Sequence, residues 1–283
     1  MIFIRDDHMN ILRFLYKNKI GRILLRPLIS KPVSDLCGKM LDSRISKVLI
    51  GPFVKKNAIR LSDSQIDDIH SFNDFFCRRL KDGLRPVSKA ESDLSAPCDG
   101  LLSVYEIKKD TVLNVKQSRY SIRRLLRSKK LAEGFNGGYA LVFRLCVNHF
   151  HRYMYFDSGW KYEDRILDGV YHTVRPVALE QFPVYVENSR QYSVIDTDNF
   201  GRAVQMEVGA MLVGRIINEH PSACKVLRGE EKGHFEYGGS TIILLLSKDR
   251  AVLRQDILDN LNKSIEIPVI MGEVIGKQKT LTV

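Results

Sequence analysis

The sequence lacks the long hydrophobic run that a membrane-spanning helix needs. No stretch approaches the roughly 20 consecutive apolar residues that cross a bilayer. The first residues, Met1 to Asp7, also lack the basic start and apolar centre of a signal peptide. The five cysteines are scattered, no two have metal-site or redox-motif spacing, and there is no internal repeat. We therefore expect reduced thiols in a cytoplasmic setting.

Positive charge is concentrated near the start of the chain. The 283 residues are 44% hydrophobic and carry a net charge of +11. Residues 1–60 hold 13 lysines and arginines against 4 acidic residues, which places nine of the eleven excess charges there. An anionic membrane, a nucleic acid or a solvated helical face would each explain this block. No nucleic-acid-binding motif accompanies it, so we expect no nucleic acid partner.

The same region is periodic. Apolar residues recur at close to helical spacing at Leu12, Leu15, Tyr16, Ile20, Ile23 and Leu24. Further short helices are predicted over 33–41 and 43–53, and another over 61–80. Basic amphipathic helices of this kind can lie in a membrane interface, and the alternative is a bundle packed on the main domain. A turn-rich stretch at 81–86 predicts a boundary between a helical, membrane-associating region, 1–85, and a β-rich catalytic domain, 86–283.

Beyond residue 90 the chain consists of short apolar runs separated by turn residues. Strands are predicted at Leu101–Ile107, Tyr139–Cys146, Phe150–Phe156, Val184–Glu187, Tyr192–Ile195, Ala203–Val208, Met211–Ile217, Thr241–Leu246 and Ile265–Ile270. One helix is predicted at Arg119–Lys129. The fold class that follows is α+β, a mainly antiparallel β-sheet core with an N-terminal helical, basic amphipathic region.

One serine lies between a flexible and a rigid segment. Gly238 and Gly239 precede Ser240, and the apolar run from Ile242 to Leu246 predicts a buried strand directly after it. A serine held in this way is placed to attack the carbonyl of its preceding residue. The alternative is a tight turn with an ordinary serine.

Other candidate residues are an acid and two histidines. Asp99 lies in a turn just before a predicted strand. His149 and His151, on a predicted strand, would point to the same face. They could bind a metal, serve as acid and base, or form a polar patch. A zinc site would need a third ligand, for which His172 or Asp157 are the candidates.

Seven segments together resemble the phosphatidylserine decarboxylase proenzyme family, which makes its own pyruvoyl cofactor. They are Phe72-Asn73-Asp74-Phe75-Phe76 with Arg78, Leu80, Lys81, Arg85 and Pro86; Ala96-Pro97-Cys98-Asp99-Gly100; Tyr120-Ser121-Ile122 with Leu125-Leu126; Phe143-Arg144-Leu145 and Phe150-His151-Arg152; Val208-Gly209-Ala210-Met211-Leu212-Val213-Gly214; Lys232 to Thr241; and Met271-Gly272-Glu273-Val274-Ile275-Gly276. Each is weak alone, but seven in the family's order over some 200 residues are specific.

The resemblance implies a self-cleaving enzyme. Ser240 would attack the carbonyl of Gly239, leaving a β chain, 1–239, and an α chain, 240–283, that begins with a pyruvoyl group. Asp99 matches the acid of the family's self-cleavage triad. The pyruvoyl carbonyl would form a Schiff base with phosphatidylserine, and His151 matches the histidine that reprotonates the α carbon to give phosphatidylethanolamine.

The chain departs from the family at one position. Met154 stands where the family has a second histidine, the base of self-cleavage, and a methionine cannot accept that proton. Our hypothesis is that His149, or His151 itself, supplies the base.

The expected partners follow from these assignments. They are an anionic phospholipid membrane, phosphatidylserine as substrate, and the α and β chains of one precursor, at the cytoplasmic face of the cell membrane. The sequence allows a homodimer without fixing the oligomeric state. Three alternatives stay open: decarboxylation of a soluble amino acid, an unprocessed lipid-binding pseudoenzyme, and a metal hydrolase built on His149 and His151.

Overall fold

The computed structural model describes residues 7–108, 112–115, 118–211, 215–238 and 240–280. Its helices are short and those of the first 60 residues follow one another closely. They are α1 (Asp7–Lys17), α2 (Lys19–Leu28), α3 (Lys31–Leu41), α4 (Ile50–Asn57), α5 (Phe72–Phe76), α6 (Ile122–Leu126), α7 (Lys129–Glu133), α8 (Pro176–Leu179), α9 (Val184–Glu187) and α10 (Gln255–Leu258), with 3₁₀ turns at Arg44–Leu49 and Leu61–Asp63.

The strands occupy most of the chain after residue 92. They are β1 (Asp93–Ser95), β2 (Gly100–Glu106), β3 (Val112–Val115), β4 (Ser118–Ser121), β5 (Tyr139–Leu145), β6 (Arg152–Met154), β7 (Gly159–Lys161), β8 (Arg165–Leu167), β9 (Arg190–Thr197), β10 (Gly201–Val208), β11 (Ile216–Asn218), β12 (Cys224–Val226), β13 (Glu231–Phe235), β14 (Ser240–Leu246), β15 (Ala251–Leu253), β16 (Ile267–Val269) and β17 (Val274–Gln278).

A nine-stranded antiparallel sheet forms the centre of the molecule. Its order is β12-β7-β9-β10-β14-β5-β2-β16, with β8 paired to β9. Small sheets, β1-β17-β15 and β11-β13-β6, pack beside it, and β3 pairs with β4. The strand β14 lies between β10 and β5 and pairs with both along its length. The predicted α+β class with a mainly antiparallel core is therefore confirmed.

The central sheet is covered on both faces. Because successive side chains of a strand point to opposite faces, Ile243 and Leu245 of β14 enter one hydrophobic cluster and Ile242 and Leu244 enter the other. We call these the helix-side layer and the strand-side layer. Each of these side chains is at most 1% exposed, and burying one contributes about 1.5–3 kcal/mol. Solvent therefore reaches neither face of β14.

The N-terminal helices pack against the helix-side layer through a few residues. Leu15, Tyr16, Leu25 and Ile29 belong to its cluster, and Tyr16 is fully buried. Other large side chains of this region face outward. They are Ile20, Ile23, Leu24, Leu36, Met40, Ile45 and Val48, which are 53–82% exposed and which we call the N-terminal surface. In the described part of the chain, no helix combines the length and apolarity that a bilayer crossing needs.

Several predicted elements are wrong or shorter than predicted. Val184–Glu187 is helix α9, and the helix predicted over 119–129 is the end of β4 followed by α6. The strand predicted over 150–156 is restricted to β6, and the helix over 61–80 to a 3₁₀ turn and α5. Of the strand predicted at Met211–Ile217, residues 212–214 lie outside the described part and β11 begins only at Ile216.

Candidate active site

Ser240 is the first residue of β14 and is 1% exposed. It is aligned with Leu145 of β5. The pleat places its side chain on the face of Ile242, in the strand-side layer. Among the described residues its Oγ has no hydrogen-bond partner. A buried hydroxyl without a partner is costly in a folded protein, so it marks a place with a function or a missing partner.

Gly238, two residues before Ser240, adopts a conformation that favours glycine. Gly238 has φ of +145°, a region that side chains with a Cβ rarely occupy. The strain-tolerant backbone at this point agrees with the turn that the sequence predicts. Gly239, the other half of the predicted cleavage site, lies outside the described residues.

His151 immediately precedes β6 and is fully buried. Its Nδ1 lies 3.0 Å from the carbonyl oxygen of His149. A carbonyl can only accept, so Nδ1 carries the proton and Nε2 presents a lone pair. That Nε2 is buried and has no partner among the described residues. Burial, then the neighbouring charges of His149 and Arg78, lowers the pKa of His151 to about 3, which keeps the ring neutral.

His149 has the opposite hydrogen-bond pattern. Its Nδ1 accepts a hydrogen bond of 3.1 Å from the Cys146 backbone N–H, so the proton of its neutral ring sits on Nε2. Burial lowers its pKa, and the charge of Asp99 opposes that shift. His149 lies in the turn between β5 and β6, so the prediction that a strand directs both imidazoles to one face is wrong.

Asp99 lies in the bend before β2 and is held by an arginine. Arg85 donates from Nε to Oδ1 at 2.7 Å and from Nη2 to Oδ2 at 2.6 Å. The Met271 N–H donates to Oδ1 at 2.9 Å. Among the described hydrogen bonds, none joins Asp99 to a histidine, and its carboxylate acts on His149 through charge. Sequence reasoning placed Arg85 only in a turn and in a family motif, and it missed this ion pair.

The helix α5 connects His151 to the residues before Ser240. The Phe76 ring packs on the His151 ring at 4.0 Å between centroids and meets the Tyr237 ring edge-on at 5.1 Å. Asn73 Oδ1 accepts from the Tyr237 N–H at 3.3 Å. The Phe235 N–H donates to the His151 carbonyl at 2.9 Å, which extends the pairing of β13 with β6. These contacts hold the two chain segments in one layer.

Met154, where the family has a second histidine, is a buried apolar residue whose hydrogen bonds are made by its backbone. It is 2% exposed, its N–H donates to Pro97 O, and its carbonyl accepts from Gln205. Its thioether takes no part in proton transfer. The base predicted from the family pattern is therefore absent at its usual position.

The remaining candidates for metal binding lie elsewhere. His172 is buried against Phe182, with Nδ1 3.2 Å from the Tyr16 hydroxyl. Asp157 pairs with Arg228 at 2.6 Å. In the described part of the chain, Glu219, Glu231 and His234 are the group whose ligand atoms lie within 4.8 Å of one another. Two arginines already bind Glu231, however: Arg79 and Arg152.

The site thus combines a buried nucleophile with a buried proton acceptor. Both atoms are buried, and in general a serine hydroxyl can lose a proton and an imidazole lone pair can take one. The His149 carbonyl orients the His151 ring, as a third group orients the base in serine-based sites.

Comparison with known proteins gives a consistent family. Residues 72–277 match the sequence profile of the family described as phosphatidylserine decarboxylase. Phosphatidylserine decarboxylase proenzyme 2 of Clostridium acetobutylicum is 39% identical over 94% of this chain and 91% of that protein. The phosphatidylserine decarboxylase proenzyme of Clostridium botulinum is 39% identical over 95% and 92% of the two chains. That of Ruminiclostridium cellulolyticum is 38% identical over 94% and 90%. The resemblance found in the motifs is confirmed: the chain belongs to the phosphatidylserine decarboxylase family.

Proposed function

We propose that this protein is the proenzyme of a pyruvoyl-dependent carboxy-lyase that converts phosphatidylserine to phosphatidylethanolamine. Its family membership and the names of its relatives support this activity. The observation that carries the proposal is a pair of buried side-chain atoms without a hydrogen-bond partner among the described residues, Ser240 Oγ and His151 Nε2. A serine that breaks its own chain requires a proton acceptor shielded from water.

Chain splitting begins at Ser240. His151 Nε2 takes the Oγ proton while Oγ forms a bond to the carbonyl carbon of Gly239. The peptide C–N bond then breaks, the nitrogen of residue 240 receives that proton, and an ester joins the two pieces. Elimination then releases the Gly239 carboxylate, and hydrolysis of the unsaturated residue releases ammonia. The α chain, 240–283, is left with a pyruvoyl group at its start.

The residues around position 240 fit such a group. Its carbonyl withdraws electrons when carbon dioxide leaves the substrate. The substrate arrives as an ammonium, and the His151 Nε2 lone pair can accept the proton that the amine must lose. Burial disfavours the charged ring, so His151 returns that proton readily to the α carbon.

We assign the base of chain splitting to His151 and not to His149. The Cys146 N–H occupies the His149 lone pair, whereas His151 Nε2 is free of partners among the described residues. The carbonyl of His149 orients the His151 ring. Asp99, held by Arg85, fixes the bend beside both histidines and contributes its charge.

The membrane partner is proposed from the N-terminal surface. Exposed side chains such as Ile20, Ile23 and Ile45 stand beside the block of positive charge in residues 1–60. Apolar groups can enter the head-group boundary while lysines and arginines are attracted to anionic lipids. We therefore place the protein peripherally on the cytoplasmic face of the cell membrane, where phosphatidylserine would be its substrate.

Intact-mass measurement of purified protein tests the proposal. We expect two chains that separate between residues 239 and 240, and an α chain whose ketone reacts with hydroxylamine or borohydride. The Ser240→Ala variant provides the control and should stay a single chain. An uncut wild-type chain without a ketone would support the pseudoenzyme instead. Equal activity on soluble serine and on phosphatidylserine vesicles would support the soluble substrate.

A further inference from the structure

Arg78 is a largely buried arginine that, among the described residues, has no carboxylate in direct contact and has Nη2 left open to solvent. The residue is 6% exposed, and its guanidinium lies over the Phe75 ring at 4.9 Å. Nε donates to Ser64 Oγ at 3.0 Å and Nη1 donates to the Phe75 carbonyl at 3.3 Å. Within the described residues, Nη2 donates to nothing and no carboxylate lies within 4.0 Å of the guanidinium. Buried charges in proteins are normally paired.

The buried Arg190 and the partly buried Arg85 and Arg144 each have acceptors for all three guanidinium nitrogens among the described residues. Arg85 has Asp99, and Arg144 has Glu266 in a two-pronged pair at 2.6 and 2.7 Å. Arg190 has no acid, but all three of its nitrogens donate to backbone carbonyls, as at a helix end. Arg78 differs from each because one of its nitrogens has no acceptor.

The position of Arg78 connects it to the catalytic residues. Arg78 lies two residues after Phe76 in the sequence, and the Phe76 ring packs on the His151 ring. The Arg78 charge is also one of the causes, after burial and His149, of the lowered pKa of His151. Arg85 already neutralises the charge of Asp99. Arg78, Arg85 and Asp99 together therefore carry one excess positive charge, and the histidines beside them are neutral.

We propose that Arg78 binds the phosphate of the substrate head group. This inference rests on the proposed function and adds to it the group that recognises the head group. The substrate has two anions, a carboxylate and a phosphodiester. A cation that held the carboxylate would stabilise the ground state and slow its loss, whereas one that holds the phosphate stays bonded throughout the reaction. Guanidinium is the side chain best suited to phosphate oxygens.

Chain splitting places a new chain end on this side of the site. In the uncut chain, the Tyr237 ring covers Phe76, and Tyr237 lies three residues before Ser240. Cleavage frees the chain end to which Tyr237 belongs. The phosphate then approaches Arg78 past Phe76, with the amine directed to position 240.

The test measures binding of glycerophosphoethanolamine, the water-soluble product head group, which has the phosphate and no carboxylate. Its dissociation constant is determined by calorimetry for processed wild type, Arg78→Gln, Arg78→Lys and the control Arg79→Gln. Arg79 is the neighbouring arginine, with a side chain that is 59% exposed. We expect a rise of at least tenfold for Arg78→Gln, a smaller rise for Arg78→Lys, and a change within about twofold for Arg79→Gln.

Chain splitting and melting temperature of each variant are recorded with the binding data. Unchanged binding in a processed Arg78→Gln protein overturns the inference, because Arg78 then holds no phosphate. If Arg78→Gln neither splits nor folds, the Arg78→Lys variant is used instead. If Arg78→Lys binds glycerophosphoethanolamine as the wild type does but no longer releases carbon dioxide, Arg78 holds the carboxylate and the inference is overturned. A wild-type protein that stays uncut overturns the proposed function, a result visible before any binding is measured.

Discussion

At the scale of single residues, two histidines near each other in sequence have opposite hydrogen-bond patterns. The His149 lone pair is used by the Cys146 N–H, and the His151 lone pair is free among the described residues. A proton acceptor must have an available lone pair, so the two histidines are not interchangeable.

We predict that His151→Ala abolishes chain splitting and that His149→Ala only slows it. A positioned general base contributes about 10²–10⁴-fold to rate, whereas alanine at 149 keeps the carbonyl that orients His151. The time course on a denaturing gel measures both rates. His220→Ala is the matched control, because His220 is exposed on another strand connection. Normal splitting by both single variants would refute the assignment.

The pH dependence of splitting is a second residue-scale prediction. His151 loses its acceptor function only when protonated, which requires the pH to fall through its folded pKa of about 3. The rate should therefore stay level from pH 8 to pH 5. If the base were a histidine with the ordinary pKa of about 6.5, the splitting rate would fall about tenfold by pH 5.5. Splitting measured across this range distinguishes the two cases.

Acid should weaken the fold over the same range. The unfolded chain protonates this histidine below pH 6.5 while the folded chain does not until about pH 3, so the stability due to neutral His151 is lost as pH falls below 6.5. The free energy of unfolding is lowered by about 2 kcal/mol at pH 5 through this one histidine.

At the scale of elements, the five-residue helix α5 has more influence than its length suggests. It places one aromatic ring against both His151 and Tyr237. Ser71 caps it by accepting from the Asp74 N–H at 3.1 Å, which fixes its start. The motif Phe72 to Phe76 thus has a structural reason, because it aligns the base with the segment before Ser240.

Phe76→Ala should cost about 3–5 kcal/mol of folding free energy and also slow chain splitting. Phe135→Ala is the control. Phe135 is 1% exposed and so is about as buried as Phe76, but it lies in the helix-side layer away from His151. Denaturant unfolding and the splitting rate are measured for both. Equal slowing in the two variants would mean that stability alone, and not the ring at 76, controls the reaction.

The elements differ in how well the sequence predicts them. The run Ile242–Leu246 is long and apolar, and the strand β14 follows from it. Val184–Glu187 has the same β-branched character but forms α9, because a run of four residues cannot distinguish a buried helix turn from a strand. Three-residue strands such as β6 depend on pairing with distant β13, which no local pattern reveals.

The site was predictable in its residue types and not in its contacts. Ser240, His151 and Asp99 follow from motifs, and the structure places the first two with unpartnered atoms. Arg85 and Asp99 lie fourteen positions apart, separated by turns and the short strand β1, so no periodicity predicts their pairing. Which histidine nitrogen is free depends on backbone groups in a turn, and sequence alone does not specify these.

At the scale of the whole molecule, the N-terminal surface is the part that we propose to contact the membrane. We predict that Ile20→Asp with Ile23→Asp lowers affinity for anionic vesicles by at least tenfold, since each loses a buried side chain worth about 1.5–3 kcal/mol. Both are 65% exposed, so chain splitting should be unchanged. Ile166→Asp, at 70% exposure on β8, is the control. Co-sedimentation measures binding, and equal binding by variant and control would contradict the surface assignment.

The location of β14 has a consequence for the mature protein. If the chain is split as proposed, the 240–283 piece supplies the interior strand β14 and the edge strand β16 of the nine-stranded sheet. It also supplies β15 and β17 of the sheet that contains β1. The two pieces cannot separate without losing β14 from between β10 and β5. After denaturation, however, they must find each other again as separate molecules, so recovery becomes second order and depends on concentration. Splitting would therefore make refolding an association of two chains that is slow at low concentration, and the lifetime of the processed protein would depend on slow unfolding.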